Sequence, residues 1–262
     1  MNGAPLSFRQ SAAWSLLGVA LFLGIWTFLS ASGLVPRQFL PTPAETAARF
    51  LNLLGSPFAG ATLPAHLAAS FQRYAYGVLL AVAAGVPLGL LMGWFRLLDD
   101  IVSPIFDGLR FIAPIAWVPF AALWFGTGVG GPIMIIFAGA FPPCLINAYR
   151  GARFVEPRLI EAARMLGTND WRMITEILLP AAVPSIVAGL RVAAGLGWQS
   201  LVGAELIVAA AGVGFMMVQA QASVQTTTVI SGMIAIGLVG MLIDVLLRQG
   251  EGWLRRRRGL EA

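Results

Sequence analysis

Long runs without charged side chains place the strongest constraint on how this chain can fold. No charged residue occurs between Phe111 and Tyr149, and the earlier run from Trp14 to Ala31 is also uncharged. About 20 consecutive apolar residues are enough for a helix to cross the hydrocarbon core of a bilayer. Only 11% of the 262 residues are charged, whereas a soluble domain has about a quarter. We therefore predict an all-α integral membrane protein.

The hydropathy pattern predicts about six spanning helices within one domain, 1–262. Their expected bounds are 14–31, 67–94, 104–125, 131–149, 181–205 and 228–247. The first is expected to be a retained helix rather than a signal peptide, because no small-x-small cleavage pattern follows it and further spans come later. A short amphipathic helix is expected to begin near Pro43, between the first two spans.

The arginine distribution predicts the orientation. All 17 basic residues are Arg, and most lie at the two ends or in the segment 150–180. Because basic residues concentrate on the cytoplasmic side of membrane proteins, we expect both termini and the loop 150–180 to be cytoplasmic. The run Arg255–Arg258 is expected to contact lipid headgroups rather than nucleic acid.

The residue inventory argues against catalysis by this chain. No Lys occurs, so the chain lacks the P-loop lysine that contacts the phosphates of ATP. The single His66 and single Cys144 are too few for a zinc site of three or four ligands. No Gly-x-Ser-x-Gly sequence accompanies His66. We therefore expect a conduit that is not an enzyme and that holds no metal or cofactor of its own.

The loop 150–180 has the pattern of a surface helix followed by a rigid turn. Pro157 suits the first turn of a helix, and Leu159, Ala163 and Leu166 fall on one face at helical spacing. Gly167 is expected to end the helix in the left-handed conformation.

The second half of the loop predicts another helix. Asp170 is expected to cap it, and it is expected to run through Leu179. Pro180 then marks the entry to the next span.

The sequence Glu161-Ala162-Ala163, followed by Gly167 and by Ile177-x-Leu179-Pro180, resembles the EAA motif of permeases in binding-protein-dependent ABC importers. Four further segments resemble the nitrate, sulfonate, taurine and bicarbonate branch of that family. They are Phe39–Pro43, Ala116–Pro119, Leu123–Gly126 and Leu201–Glu205. The resemblance extends over nearly the whole chain.

The resemblance implies a type I ABC importer permease fold in the inner membrane. It implies a second permease copy, which forms a homodimer with the first, and a separate ABC ATPase subunit that binds ATP. A periplasmic or lipid-anchored binding protein would deliver a small polar or anionic solute. The residues implied in ATPase coupling are Glu161, Ala162, Ala163, Leu166, Gly167 and Pro180.

Three residues are candidates for the solute path. Glu205 lies deep in an apolar run, where ionisable groups are costly and often functional; the alternative is a structural bond to Ser200 or to backbone. Trp124 and Trp198 are candidates for contact with solute, and packing is the alternative for both.

Other charged residues and a glycine pattern leave alternatives open. His66 and Arg73 are expected at the membrane interface. Arg110 and Arg191 are expected to reach the interface, with an anion path as the alternative. The Gly85-x3-Gly89 pattern allows close helix approach, for folding or for dimerisation.

A gradient-driven secondary transporter is the alternative function. Such folds often contain internal repeats and intramembrane carboxylates, but no internal repeat is evident here and Glu205 is the one clearly intramembrane carboxylate in the pattern. A channel would not need the docking loop. The sequence therefore favours the importer subunit.

Overall fold

The computed structural model describes residues 8–33, 35–126 and 128–257. Within these ranges helices dominate and no strand is present beyond an isolated bridge between Phe58 and Ala61. Five helices are long and apolar enough to cross a membrane, and there are six crossings if one bent pair counts as a single span. The prediction of an all-α fold with about six spans is confirmed.

The helices differ in length from short surface segments to spans. They are α1 (Phe8–Ala31), α2 (Pro43–Gly55), α3 (Leu63–Trp94), α4 (Arg96–Leu109), α5 (Val118–Phe125), α6 (Gly130–Arg153), α7 (Pro157–Met165), α8 (Asp170–Arg172), α9 (Leu179–Glu205), α10 (Val213–Ala222) and α11 (Thr226–Arg257). The predicted segments 14–31, 67–94, 131–149 and 228–247 lie inside α1, α3, α6 and α11.

The predicted start of α2 near Pro43 is confirmed. Thr42 Oγ1 accepts a hydrogen bond from the Glu45 backbone N–H (3.2 Å), and Glu45 Oε2 accepts one from the Thr42 N–H (2.9 Å). This reciprocal capping box satisfies two N–H groups that a helix start would otherwise leave without partners.

The span predicted over 104–125 is divided into two helices. Helix α4 ends at Leu109, and a 3₁₀ turn, Pro114–Trp117, leads into α5; the two halves are bent by 88°. Pro114 lacks an N–H and disfavours helical conformation in the preceding residue. Ala113 accordingly has φ −56° and ψ 139°, so the helix cannot continue through it.

The two helices predicted on either side of Pro180 are one, so the expected start of a span at 181 was wrong. The helix is continuous from Asp170 to Glu205. Its segment Met173–Leu178 is π-helical, and the Leu179 N–H bonds to Ile174 O, five residues back. Because Pro180 cannot donate the bond that an α-helix expects, a π segment just before it allows the helix to pass the proline.

The chain divides into two compact units. The first consists of the residues up to Leu63 together with Met216–Ala235. Within it, Arg49 Nε donates to Thr228 Oγ1 (2.9 Å), which joins α2 to the first turn of α11. Trp26 Nε1 donates to Pro41 O (3.0 Å), which joins α1 to the segment before α2.

The second unit consists of Pro64–Phe215 and the residues from Ile236 on. Here α3 packs against α6 at very short range along a stripe of glycines. A Cβ atom added at Gly85 would lie 2.9 Å from Cys144 Cβ, and one added at Gly89 would lie 2.9 Å from Ala148 Cβ and overlap Leu145 O. The glycine pattern therefore serves packing within the chain, which decides between the alternatives that the sequence left open.

Candidate functional site

Helix α7 and the turn after it form a rigid projection from the second unit. Gly167 has φ 77°, which confirms the predicted left-handed conformation at the end of the helix. The Thr168 N–H bonds to Ala163 O (3.1 Å), and the Gly167 N–H bonds to Arg164 O (3.0 Å). These bonds satisfy the last carbonyls of the helix.

The N-cap of the following helix lies one residue before the predicted position. Asn169 rather than Asp170 caps α8, because Asn169 Oδ1 accepts from the Arg172 N–H (2.9 Å). Asp170 is the first helical residue, and its Oδ1 accepts a hydrogen bond from Trp94 Nε1 (3.2 Å). The turn is therefore fixed to the end of α3.

The alanine pair of α7 faces two different environments. Ala163 is 4% exposed and packs in a cluster with Val155, Met173, Ile174 and Leu178. Glu161 and Ala162 are exposed. Leu159, Ala163 and Leu166 were predicted to share one face. This prediction was wrong, because Ala163 is directed into the core while the two leucines are exposed.

The tip of this projection carries large apolar side chains on its surface. Met165 is 87% exposed, Leu166 is 86% exposed and Trp171 is 69% exposed. Pro180 is also exposed, at the start of α9. Exposed apolar groups held on a rigid turn are typical of a surface that another protein covers.

A second polar group of residues is buried around Glu205. Arg73 Nη1 lies 2.9 Å from Glu205 Oε1, and the Ser70 hydroxyl donates to the same carboxylate (2.8 Å). The Gly214 N–H donates to Glu205 Oε2 (3.0 Å), and Arg73 Nη1 also donates to Ala211 O (2.6 Å). The pair therefore joins α3 to the end of α9 and to the loop that follows.

Sequence reasoning missed this buried network. His66 and Arg73 are 2% and 6% exposed, so both are buried within the protein, and their position at the level of the membrane interface stays a prediction. Their spacing with Ser70 places all three on one face of α3, which is the signal that could have indicated a shared partner. The Gly212 N–H donates to His66 Nδ1 (3.3 Å). Of the two structural partners predicted for Glu205, Ser200 instead donates to Leu196 O (2.7 Å), whereas the backbone bond is present, from the Gly214 N–H.

The two candidate tryptophans lie in different surroundings. Trp198 is 6% exposed, packs edge-on against Tyr74 with ring centres 5.4 Å apart, and donates to Ile236 O (3.1 Å). Trp124 is 72% exposed, and its ring centre lies 4.7 Å from that of Phe120. Trp198 is thus a core residue, and Trp124 lies on an open surface.

Two cavities open along one face of α9 in the second unit. The first, of about 340 Å³, is lined by side chains that include Arg110, Gln199 and Ser200. The second, of about 480 Å³, shares Leu196 and Gln199 with the first and also contains Arg191. Arg191 is held by Asp244 (3.0 Å) and Glu251 (3.7 Å).

Comparison with known proteins gives concordant findings. The sequence pattern of the family described as "Binding-protein-dependent transport system inner membrane component" matches residues 85–259. The taurine transport system permease protein of Escherichia coli (strain K12) is 34% identical over 93% of this chain and 88% of its own length. The bicarbonate transport system permease protein of Synechococcus elongatus is 34% identical over 92% of this chain and 88% of its own.

A solved structure shows the same fold. An inward-facing conformation of the MetNI methionine ABC transporter contains a chain that aligns with a TM-score of 0.59 and 22% identity. The alignment covers 71% of this chain and 95% of the other.

Proposed function

Because the chain belongs to the family of binding-protein-dependent transport system inner membrane components, we propose that it carries a small organic anion of the sulfonate type through the membrane. It is a multi-pass permease subunit of an ABC importer. Neither the matched family nor the relatives support a gradient-driven carrier. The chain itself contributes no P-loop lysine, so ATP is bound by a separate ATPase subunit.

The sulfonate class is supported by the relatives and by the chemistry of the cavities. Taurine is an aminosulfonate and bicarbonate is a small anion, and these solutes appear in the names of the two permease relatives. The two cavities along α9 each contain an arginine, Arg110 and Arg191. A guanidinium stays charged in proteins and binds planar or tetrahedral oxyanions well.

Coupling to the ATPase is proposed to occur at the projection formed by α7 and its turn. The single observation that carries this proposal is the exposure of Met165 and Leu166 beside a turn fixed by Gly167. Glu161, Ala162 and Leu166 would contact the ATPase. Ala163 and Pro180 would support this surface without contacting the ATPase. Ala163 packs α7 against the core, and Pro180 adjoins the π segment.

The assembly would follow the family arrangement. Two copies of the chain would enclose the path, and a binding protein would deliver solute at the outer face. The arginines of 150–180 and of the C-terminal segment support a cytoplasmic position for the loop and both termini. ATP binding by the paired ATPases would move α7, and the continuous helix Asp170–Glu205 would transmit that movement into the membrane.

Co-purification in mild detergent tests the docking surface. We expect the ATPase subunit to co-elute with the tagged wild-type chain and to be lost from Leu166→Ser. The matched control is Leu51→Ser on α2, because Leu51 is also exposed (66%) but lies on the predicted outer side. Equal recovery of the ATPase with Leu166→Ser and with wild type would contradict docking at this surface.

A further inference from the structure

The cavity of about 340 Å³ lies between the break that separates α4 from α5 and the helices α6 and α9. An arginine at this break, Arg110, lines the cavity. Arg110 is the first residue after α4 and lines this cavity together with Gln199 and Ser200. Its volume is within the range of small-molecule sites, about 300–1,000 Å³.

Arg110 is oriented by its neighbours but retains unused donors. Its Nε lies 2.8 Å from Asp107 Oδ1, and its guanidinium lies over the Phe111 ring, 4.6 Å from the ring centre. The two terminal nitrogens make no hydrogen bond with any residue that the structure describes. Because arginine is not deprotonated in proteins, these nitrogens are permanent donors to an anion.

Backbone carbonyl groups, which accept hydrogen bonds, line the cavity together with the donors of Arg110. Pro142 and Pro143 have no N–H, so the carbonyls of Ala138 and Gly139 lose their regular donors four residues on. All four residues line the cavity. The carbonyl oxygens therefore lack the N–H groups that would bond them in a regular helix.

Gln199 adds an amide that can either donate or accept. Within the described part of the chain, the Gln199 side chain makes no hydrogen bond. Gln199 also lines the second cavity, which contains Arg191. A solute held at the first cavity therefore has a neighbouring polar position along the same face of α9.

The depth of these groups argues for a functional reason. Ala138, Gly139 and the two prolines lie in the middle of α6, a span of 24 residues. Backbone groups that lack their regular helical partner are costly in a membrane span unless protein or a water-filled cavity surrounds them. The break at Arg110 and the proline pair of α6 meet at one cavity.

We propose that this cavity is an intramembrane binding site for a small organic anion that also carries a hydrogen-bond donor, such as an aminosulfonate. The anionic group would be bound by the terminal nitrogens of Arg110. The donor group would be bound by the carbonyls of Ala138 and Gly139. The assignment of the ligand as the transported solute rests on the proposed function; the site itself does not.

Cysteine accessibility tests the site without any transport measurement. In a Cys144→Ala background, Gln199→Cys is placed in neutral lipid nanodiscs with the full complex and modified by two thiosulfonate reagents. One reagent carries an ethanesulfonate group and the other a quaternary ammonium. We expect the anionic reagent to react faster, and Arg110→Gln to slow it roughly tenfold relative to the cationic reagent, as for a unit charge a few ångströms away in a partly solvated cavity.

A matched position controls for folding and general charge effects. Val192→Cys lies two turns earlier on the same face of α9, about 10 Å along the axis, and lines the second cavity but not the first. Its modification rate should not depend on Arg110→Gln. Arg248→Gln removes another arginine paired with an aspartate, Asp244 (2.7 Å), and should leave Gln199→Cys reactivity unchanged.

Competition then identifies the ligand. Millimolar taurine should slow the anionic reagent at Gln199→Cys by at least twofold, and this protection should be lost with Arg110→Gln. Equal rates for the two reagents, no reaction, or protection by added phosphatidylglycerol but not by taurine would overturn the proposal. ATP-driven import by the wild type together with any of these results would leave the proposed function standing and remove the site.

Discussion

Arg73 Nη1 lies 2.9 Å from Glu205 Oε1 although the two residues are 132 positions apart in the sequence. The Arg73 side chain is 8% exposed and that of Glu205 is 1% exposed. The carboxylate also accepts hydrogen bonds from Ser70 and from the Gly214 N–H. The ion pair thus fixes the loop after α9 to α3.

Removing one partner of this pair should destabilise the fold. Arg73→Met leaves the Glu205 carboxylate buried without its cation, which typically costs about 3–5 kcal/mol. In the double variant Arg73→Met/Glu205→Leu, the loss should be smaller than the sum of the two single losses by about 0.5–3 kcal/mol. The measurement is the free energy of unfolding in mixed micelles.

An exposed ion pair provides the control for that prediction. Arg248 is 63% exposed and pairs with Asp244 on the same helix at 2.7 Å. Arg248→Met should change the free energy of unfolding by less than about 1 kcal/mol. Similar losses for Arg73→Met and Arg248→Met would show that the buried pair has no special structural role.

Gly212 should tolerate no side chain. It has φ 115°, and a Cβ atom there would overlap the Glu205 carboxylate. Gly212→Ala should therefore destabilise the fold by about 1–3 kcal/mol through backbone strain and should displace Glu205. Thermal unfolding in detergent measures the effect, and an unchanged midpoint would be inconsistent with the observed contact.

Because α3 packs closely on α6, Gly89 should be as sensitive to an added side chain as Gly212. Gly89→Ala adds a methyl group against Leu145 O and Ala148 Cβ, and overpacking of this kind costs about 1–3 kcal/mol. Gly237→Ala in α11 is the matched control, since no atom lies within 4 Å of its added Cβ. The same midpoint for both variants would argue against the tight contact.

The turn at Gly167 should be required for transport rather than for insertion. Gly167→Val places a β-branched residue at φ 77°, so the turn must change and uptake should be lost while membrane insertion is retained. Gly167→Asn should keep partial activity, because asparagine enters the left-handed region more readily. Normal uptake by Gly167→Val would contradict a role of this turn in coupling.

Local features of the fold were predictable because nearby residues determine them. The capping box of Thr42 and Glu45 and the left-handed Gly167 each depend on a few adjacent positions. The size of the bend at Pro114 was not predictable, because a proline in a membrane helix produces either a kink or a complete break. The outcome depends on whether neighbouring helices satisfy the freed backbone groups.

The candidate sites depended on tertiary contacts that the sequence does not reveal. Ala163 faces inward because Met173 and Leu178 return to cover it, which one helical pattern cannot indicate. Glu205 was recognisable as an unusual residue, but its partner Arg73 lies in a distant helix. Arg110 was open to two interpretations, and its place in a cavity depends on the break between α4 and α5.

ATP-driven import into proteoliposomes tests the central claim most directly. The vesicles contain the permease, its ATPase and its binding protein, and radiolabelled taurine is the solute. Uptake should require ATP on the side of the vesicle membrane that carries the ATPase subunits. It should fall to background with Leu166→Ser but not with Leu51→Ser. Uptake by the permease alone, driven by an ion gradient without ATP, would contradict the account.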